Sequence, residues 1–155
     1  MTHCQEVPRR VASDAAESAI LADTSAWVEY DRATGSSVDQ RLRELIANDA
    51  PLAITEPILM EVVAGARTNE REVDLRRLLL RFRLLPYESA TDFDGAARVY
   101  RSCRAAGVTP RGLLDCMVAT VAQRTGASLL AQDADLARVA QVIGVEMDEA
   151  SLRPG

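Results

Sequence analysis

The sequence predicts an α/β fold, a three-layer α/β/α sandwich with a mostly parallel central sheet. Short apolar runs alternate with longer segments of helical periodicity, the pattern of strands joined by crossover helices. The 155 residues, 48% of them hydrophobic, can form one ordinary core. We therefore expect one domain over residues 20–155, preceded by a polar, non-periodic and flexible extension over residues 1–19.

Each element follows from its local pattern. Short apolar runs predict strands at residues 20–22, 52–54, 82–86 and 128–131, with a last short run near Val145. Periodic segments predict helices from Ser25 and over 36–48, 56–66, 68–81, 92–106, 112–124 and 134–141. The helix over 68–81 carries a core stripe of Leu75, Leu78, Leu79 and Phe82. The helix over 112–124 is apolar on nearly every side, which predicts that it is buried.

Composition excludes several classes of function. All 18 basic residues are arginine, and the net charge is −5, although residues 62–111 carry ten arginines against six acids. One histidine and three cysteines without a CxxC pair argue against a zinc site and a histidine base and indicate reduced thiols. No secretory signal and no apolar stretch of about 18 residues is visible, so we expect a cytoplasmic protein without membrane contact.

Four carboxylates lie within or at the ends of apolar runs: Asp23, Glu61, Asp115 and Asp133. An ionised carboxylate buried without a partner is unfavourable by several kcal/mol, so each requires an arginine or a cation. Taken singly, each has an ordinary structural explanation as a helix cap or as one half of an ion pair.

The predicted parallel sheet places these acids near one another. Asp23 and Asp133 follow predicted strands, and parallel strands end at one edge of the sheet, where ligands bind. Asp115 lies in the first turn of the buried helix, where the helix dipole favours an anion. Glu61 is chosen over Glu56 because its neighbours are apolar, whereas Glu56 beside Pro57 suits a solvated helix start.

Carboxylates gathered in this way repel one another unless cations lie among them. Mg²⁺ or Mn²⁺ suits an oxygen-rich cluster without histidine or cysteine, and its widespread use is two-metal phosphodiester hydrolysis. Phosphotransfer proteins of the haloacid-dehalogenase and receiver types, and P-loop NTPases, characteristically require a lysine that this chain lacks.

The segments ILADTSAWVEY, TEPILMEVVAGAR and RGLLDCMVATVAQRTGASLLAQDADLARVA, in this order and spacing, resemble a PIN-domain ribonuclease of the VapC toxin type. The resemblance runs from about Ile20 to the C-terminus. It implies a Mg²⁺-dependent RNA endonuclease, with Mn²⁺ as a possible substitute, that acts as the toxin of a type II toxin–antitoxin pair. It also implies a homodimer neutralised by a VapB-type antitoxin.

Site roles follow from the same resemblance. The metal-binding and catalytic acids fall on Asp23, Glu61, Asp115 and Asp133, and the closing D-x-D adds Asp135 as an auxiliary or water-mediated ligand. Thr24 and Ser25 either bond the cluster or the scissile phosphate, or only cap a helix.

Binding of RNA by an acidic chain requires local positive charge. The candidates are Arg76, Arg77 and Arg81, expected on the outer face of their helix, and Arg111, four residues before Asp115. Arg111 can grip a phosphate or brace an acid. The alternative to an enzyme is a catalytically silent PIN module that binds RNA or serves as a scaffold.

Overall fold

The computed structural model describes residues 18–152. Residues 1–17 of the predicted extension, and the last three residues of the predicted domain, lie outside the described residues. The residues just before the first strand already belong to the fold: Ala19 is buried, and its carbonyl accepts a hydrogen bond of 3.1 Å from Ser128 N–H.

Strands and helices alternate through the described residues. The strands are β1 Ile20–Ala22, β2 Leu52–Ile54, β3 Arg83–Leu84 and β4 Ser128–Leu130. The helices are α1 Thr24–Asp31, α2 Ser37–Ala47, α3 Glu56–Ala64, α4 Asn69–Leu79, α5 Ser89–Ala105, α6 Leu113–Thr125 and α7 Ala134–Ile143, followed by a 3₁₀ turn at Glu149–Leu152.

The central sheet is parallel in all four of these strands, in the order β3-β2-β1-β4. One group of contacts links α1 to α2 and α3, and α3 to α4; a second links α5, α6 and α7 to one another. The predicted α/β/α sandwich is thus confirmed.

β1 and β4, which pair with each other, are almost entirely apolar and buried. Leu21, Leu129 and Leu130 have no exposed surface. α1 is fastened directly to β1, because the indole Nε1–H of Trp27 donates to the carbonyl of Ala22 at 3.2 Å. Asp23, the single residue between β1 and α1, is therefore held by the elements on both sides of it.

Most predicted elements are confirmed within a few residues, and three differ. α5 begins at Ser89 rather than at residue 92, because Asp92 lies inside the first turn and accepts the N–H of Glu88 at 2.8 Å. No strand forms near Val145; an isolated bridge joins Met147 to Leu129. α6 is not apolar-buried all round, since the side chain of Leu113 at its start is 60% exposed.

Asp92 shows how the fold accommodates a buried acid by ion pairing. Burial alone would raise the pKa of this carboxyl, but two hydrogen bonds from Arg124 and one from Glu88 N–H outweigh burial, so its pKa is lowered. Arg124 also donates to the carbonyl of Pro86 at 2.6 Å and so ties α6 to the start of α5. Only 1% of Asp92 is exposed, and its charge is satisfied by protein alone.

Close packing of α5 on α6 predicts that Gly95→Ala destabilises the protein. A Cβ atom at Gly95 would lie 2.6 Å from Cγ2 of Thr120, whose hydroxyl is held by the carbonyl of Cys116 at 2.7 Å. The gain in helix propensity is below about 1 kcal/mol, whereas overpacking costs about 1–3 kcal/mol. Urea denaturation should show a net loss of about 1 kcal/mol or more. Thr120→Ser, which keeps the hydroxyl, is the control: Gly95→Ala should be less harmful in the Thr120→Ser background, and equal penalties in both backgrounds would contradict the predicted clash.

Candidate active site

A cavity of about 510 Å³ opens where β1 and β4 end. α6 runs back toward the start of β4, so its own first turn lies at this edge of the sheet. Asp23, Glu61, Asp115 and Asp133 all line the cavity. The remaining lining residues are Thr24, Ser25, Val28, Glu29, Arg111, Gly112, Leu114 and Gln132.

Asp23 is the most deeply buried of the four acids, at 5% exposure. Its N–H donates to the carbonyl of Leu130 at 2.9 Å, which continues the β1–β4 pairing one residue beyond the strands. Its carboxylate caps α1 by accepting the N–H and the hydroxyl of Ser25 at 3.1 and 2.7 Å, both on Oδ2. Burial raises the pKa of Asp23, and the charges of Glu61 and Asp133 raise it further, although the bonds from Ser25 oppose this.

Ser25 joins the two loops that form the base of the cavity. Its hydroxyl donates to Asp23 and accepts the N–H of Gln132 at 3.0 Å. The hydroxyl oxygen of Thr24 is buried and has no hydrogen-bond partner within the described residues. Ser25 thus contacts an acid of the cluster directly, while Thr24 contributes a buried polar atom to the cavity wall.

Asp115 lies in the first turn of α6 and is half-buried. Its pKa is raised to about 6, first by burial and then by the negative charges of Asp133 and Asp23; Arg111 lowers it and Glu61 raises it. The three other acids raise the pKa of Asp115 and Arg111 lowers it, so all four acids and this arginine share one electrostatic environment.

Asp133 caps α7, and its two oxygens have different partners. Oδ1 accepts the N–H groups of Asp135 and Leu136 at 2.9 and 3.2 Å. Oδ2 accepts Nη2 of Arg111 at 2.8 Å. Asp135 is not among the residues lining the cavity; it pairs with Arg111 at 3.3 Å and with Arg138.

Glu61 reaches the cavity from α3 and is exposed, although Val62 beside it is buried. The sequence-based choice against Glu56 agrees with the geometry: Glu56 does not line the cavity, and its carboxylate accepts the N–H of Tyr87 at 2.6 Å. The apolar neighbours of Glu61 in sequence therefore predict its place at the site edge but not its degree of exposure.

Of the four arginines predicted as RNA contacts, Arg111 alone is a cavity residue. Arg76 pairs with Glu72 at 2.9 Å on α4. Arg77 is exposed on the same helix, and the guanidinium of Arg81 lies 5.7 Å from the centre of the Phe82 ring. These three are on the outer surface, as the helical stripe predicts, but they are not in the wall of the cavity.

The site residues predicted from the sequence leave out five that line the cavity: Val28, Glu29, Gly112, Leu114 and Gln132. Glu29 lies one helical turn after Ser25, so the i, i+4 rule applied to α1 could have found it. Gln132 contributes through its backbone N–H, for which the sequence carries no side-chain signal.

The donor set fits a hard divalent cation. Four carboxylates supply only oxygen, and burial together with the charges of the neighbouring acids raises the pKa values of Asp23 and Asp115. As the side chains stand, no three acid, thiol or imidazole groups within residues 18–152 converge closely enough to hold one ion. An ion held by three of these carboxylates would require them to move closer together.

A family model for the PIN domain matches residues 20–142, most of the chain. The chain belongs to the PIN-domain family. Within the family it is a VapC-type ribonuclease: it is 41% identical over 128 residues to VapC ribonuclease Mb1587 of Mycobacterium bovis, and equally to ribonuclease VapC11 of Mycobacterium tuberculosis. Each alignment covers 82% of this chain and 96% of the relative.

Solved PIN-domain structures share the fold. The DNA-bound VapBC structure from Salmonella typhimurium superposes with a TM-score of 0.66 at 18% identity, covering 84% of this chain and 97% of the other. PIN-domain ribonucleases generally depend on a divalent metal ion. Among the described residues, no helix is long and apolar enough to cross a membrane.

The raised pKa of Asp115 predicts that Asp115→Asn stabilises the metal-free PIN domain. The pKa of Asp115 is about 6 in the folded state and 3.8 ordinarily, so the folded state binds the proton more tightly than the unfolded state. This preference stabilises the fold fully below the unfolded pKa and is lost as pH rises through 6. At pH 7.5 the charge is therefore unfavourable, and its removal should raise the free energy of unfolding by about 1 kcal/mol after allowance for solvent screening. Urea denaturation in a chelator tests this.

Asp94→Asn is the matched control, because Asp94 is an exposed acid that pairs with Arg98 on α5, away from the cavity. Its effect should remain within about 0.5 kcal/mol. A lower free energy of unfolding for Asp115→Asn at pH 7.5 would contradict the prediction, because the ionised carboxylate would then stabilise the fold.

Proposed function

We propose that this protein is a Mg²⁺-dependent RNA endonuclease and the toxin of a type II toxin–antitoxin pair. The observation that carries the proposal is the convergence of four carboxylates on one cavity, with two of their pKa values raised, in a chain 41% identical to VapC ribonucleases. Repulsion among these acids favours a cation, and the cavity lies where parallel sheets bind ligands.

Asp23, Glu61, Asp115 and Asp133 would hold Mg²⁺, or Mn²⁺ in its place, and Asp135 would assist from outside the cavity wall. A divalent ion held there would supply a lowered pKa for an attacking water and charge stabilisation for the leaving oxygen of the phosphodiester. No lysine or histidine general base is then required, in agreement with a cavity whose titratable groups are acids and one arginine.

The chain's own residues prepare the site for this chemistry. Ser25 fixes Oδ2 of Asp23 through two hydrogen bonds, so the carboxylate is oriented before any ligand arrives. The two N–H groups that bind Oδ1 of Asp133 fix the second loop in the same way. Arg111 adds the positive charge at the cavity that a phosphate requires, and the acids alone would repel RNA.

Partners follow from the same assignment. The substrate is RNA, the neutraliser is a VapB-type antitoxin and the chain forms a homodimer; the named Salmonella structure is of a VapBC pair, which supports the antitoxin. We place the activity in the cytoplasm, in keeping with the free, buried thiols of Cys103 and Cys116. Arg76, Arg77 and Arg81 would contact RNA beyond the cavity.

Asp23→Asn and Asp115→Asn should each abolish cleavage. Each substitution removes a charged ligand while preserving side-chain size, so the loss should be on the order of 100-fold or more. RNA cleavage with Mg²⁺ measures it, and Asp94→Asn should cleave like wild type. Wild-type rates in both site variants would end the proposal, and absence of metal-dependent cleavage in wild type would favour the silent RNA-binding module.

Arg111→Ala should weaken RNA binding and reduce its salt dependence. A guanidinium on a phosphate releases about one counterion, so the slope of log affinity against log salt should fall by about 0.7 for single-stranded RNA. Binding is measured in the Asp23→Asn background, where cleavage is blocked. Arg98→Ala, exposed on α5 outside the cavity, is the charge-matched control. An unchanged slope for Arg111→Ala would remove it from the RNA contacts.

A further inference from the structure

Arg111 already serves as a cation for the acids at the cavity. Its Nη2 lies 2.8 Å from Oδ2 of Asp133, and its Nε lies 3.3 Å from Oδ2 of Asp135. It stands in the loop between α5 and α6, directly after the buried Pro110. Its own side chain is 65% exposed, whereas that of Asp133 is 13% exposed.

Asp133 does not depend on this arginine for its orientation. Oδ1 is held by the N–H groups of Asp135 and Leu136 as the cap of α7. Oδ2 is the oxygen left for a ligand, and it is the oxygen that Arg111 takes. Arg111 thus binds the oxygen of Asp133 that a ligand would use, whereas the backbone N–H groups orient the carboxylate.

We propose that Arg111 is an internal counter-cation that competes with the divalent metal for Oδ2 of Asp133. Metal binding displaces the guanidinium, and metal release restores the ion pair. The inference rests on the proposed function only in requiring that a divalent ion enters this cavity.

The energetics of the pair suit such an exchange. An ion pair with so exposed an arginine is weak and screened by salt, so a doubly charged ion with direct oxygen contacts can replace it. Neither acid is abandoned by the exchange: Asp135 keeps its pair with Arg138, and Asp133 gains the metal. The freed guanidinium remains at a cavity that would receive phosphate, whose oxygens match its planar fork as carboxylates do.

Two further observations agree with competition. Arg111 lines the same cavity as the four acids, so its guanidinium places a positive charge beside them. Within residues 18–152, no three ligand groups converge on one point while Oδ2 of Asp133 is engaged by Arg111.

The test is calorimetric titration of the full chain with Mn²⁺ alone. Wild type, Arg111→Ala and Arg138→Ala are compared at one ionic strength and at pH 7.5. Arg138→Ala is the matched control because it removes the same charge and also a partner of Asp135, but leaves the contact to Asp133 intact.

Competition predicts that Arg111→Ala binds Mn²⁺ about three- to tenfold more tightly than wild type, as expected when a unit positive charge leaves the mouth of a solvated cation site. Arg138→Ala should remain within about twofold of wild type. An affinity of Arg111→Ala that is unchanged or weaker would overturn the proposal, the weaker value indicating that Arg111 braces Asp133. Equal tightening in Arg138→Ala would also overturn it, because the effect would then be one of net charge.

The two proposals fail in different ways. If wild type cleaves RNA, Asp23→Asn does not, and the Mn²⁺ affinity of Arg111→Ala equals that of wild type, the competition is wrong and the ribonuclease stands. If wild type binds no Mn²⁺ and cleaves no RNA with any divalent ion, both the proposed function and the competition are wrong.

Discussion

The repulsion among four carboxylates in one cavity is the constraint on which the rest of the site depends. Asp23 is almost fully buried, and Asp115 has a pKa of about 6, so the fold keeps charges where solvent cannot fully stabilise them. Elsewhere the same protein satisfies a buried acid completely, as Arg124 does for Asp92. Asp92 is fully paired within the protein, whereas the cluster of four acids has one exposed arginine beside it, and this contrast supports the proposed cation site.

The backbone sets this constraint with few devices. β1 and β4 are adjacent and parallel, so the residues that follow them emerge together, and each of the following helices is capped by one of the acids, Asp23 or Asp133. The same side chains therefore carry the capping role and the proposed ligand role, and in Asp133 the cap uses Oδ1 and leaves Oδ2 to Arg111. Helix N-termini also supply partial positive charge, which stabilises the carboxylates that cap them.

Much of this was accessible from the sequence because strand ends and helix starts have local signals. Asp23 directly follows an apolar run, Asp133 follows one by two residues, and Asp115 lies in the first turn of an apolar helix, so the geometry of a parallel sheet predicts that they meet at one edge. What the sequence lacked were contacts between distant segments. The pairing of Arg111 with Asp133 and Asp135 joins two loops, the bond from Gln132 to Ser25 uses a backbone group, and the start of α5 is set by the buried acid Asp92. No periodic sequence pattern predicts any of these contacts.

The most direct test of the central claim is the free energy of unfolding of the wild-type chain as Mn²⁺ is raised from zero, at pH 7.5 and constant ionic strength. If the acids require a cation, the ion binds the folded state preferentially, and stability should rise with the logarithm of metal concentration above the dissociation constant, by about 2.7 kcal/mol at a hundredfold excess over it. A free energy of unfolding that does not change across millimolar Mn²⁺ would contradict the account, because the repulsion would then be relieved by the protein itself.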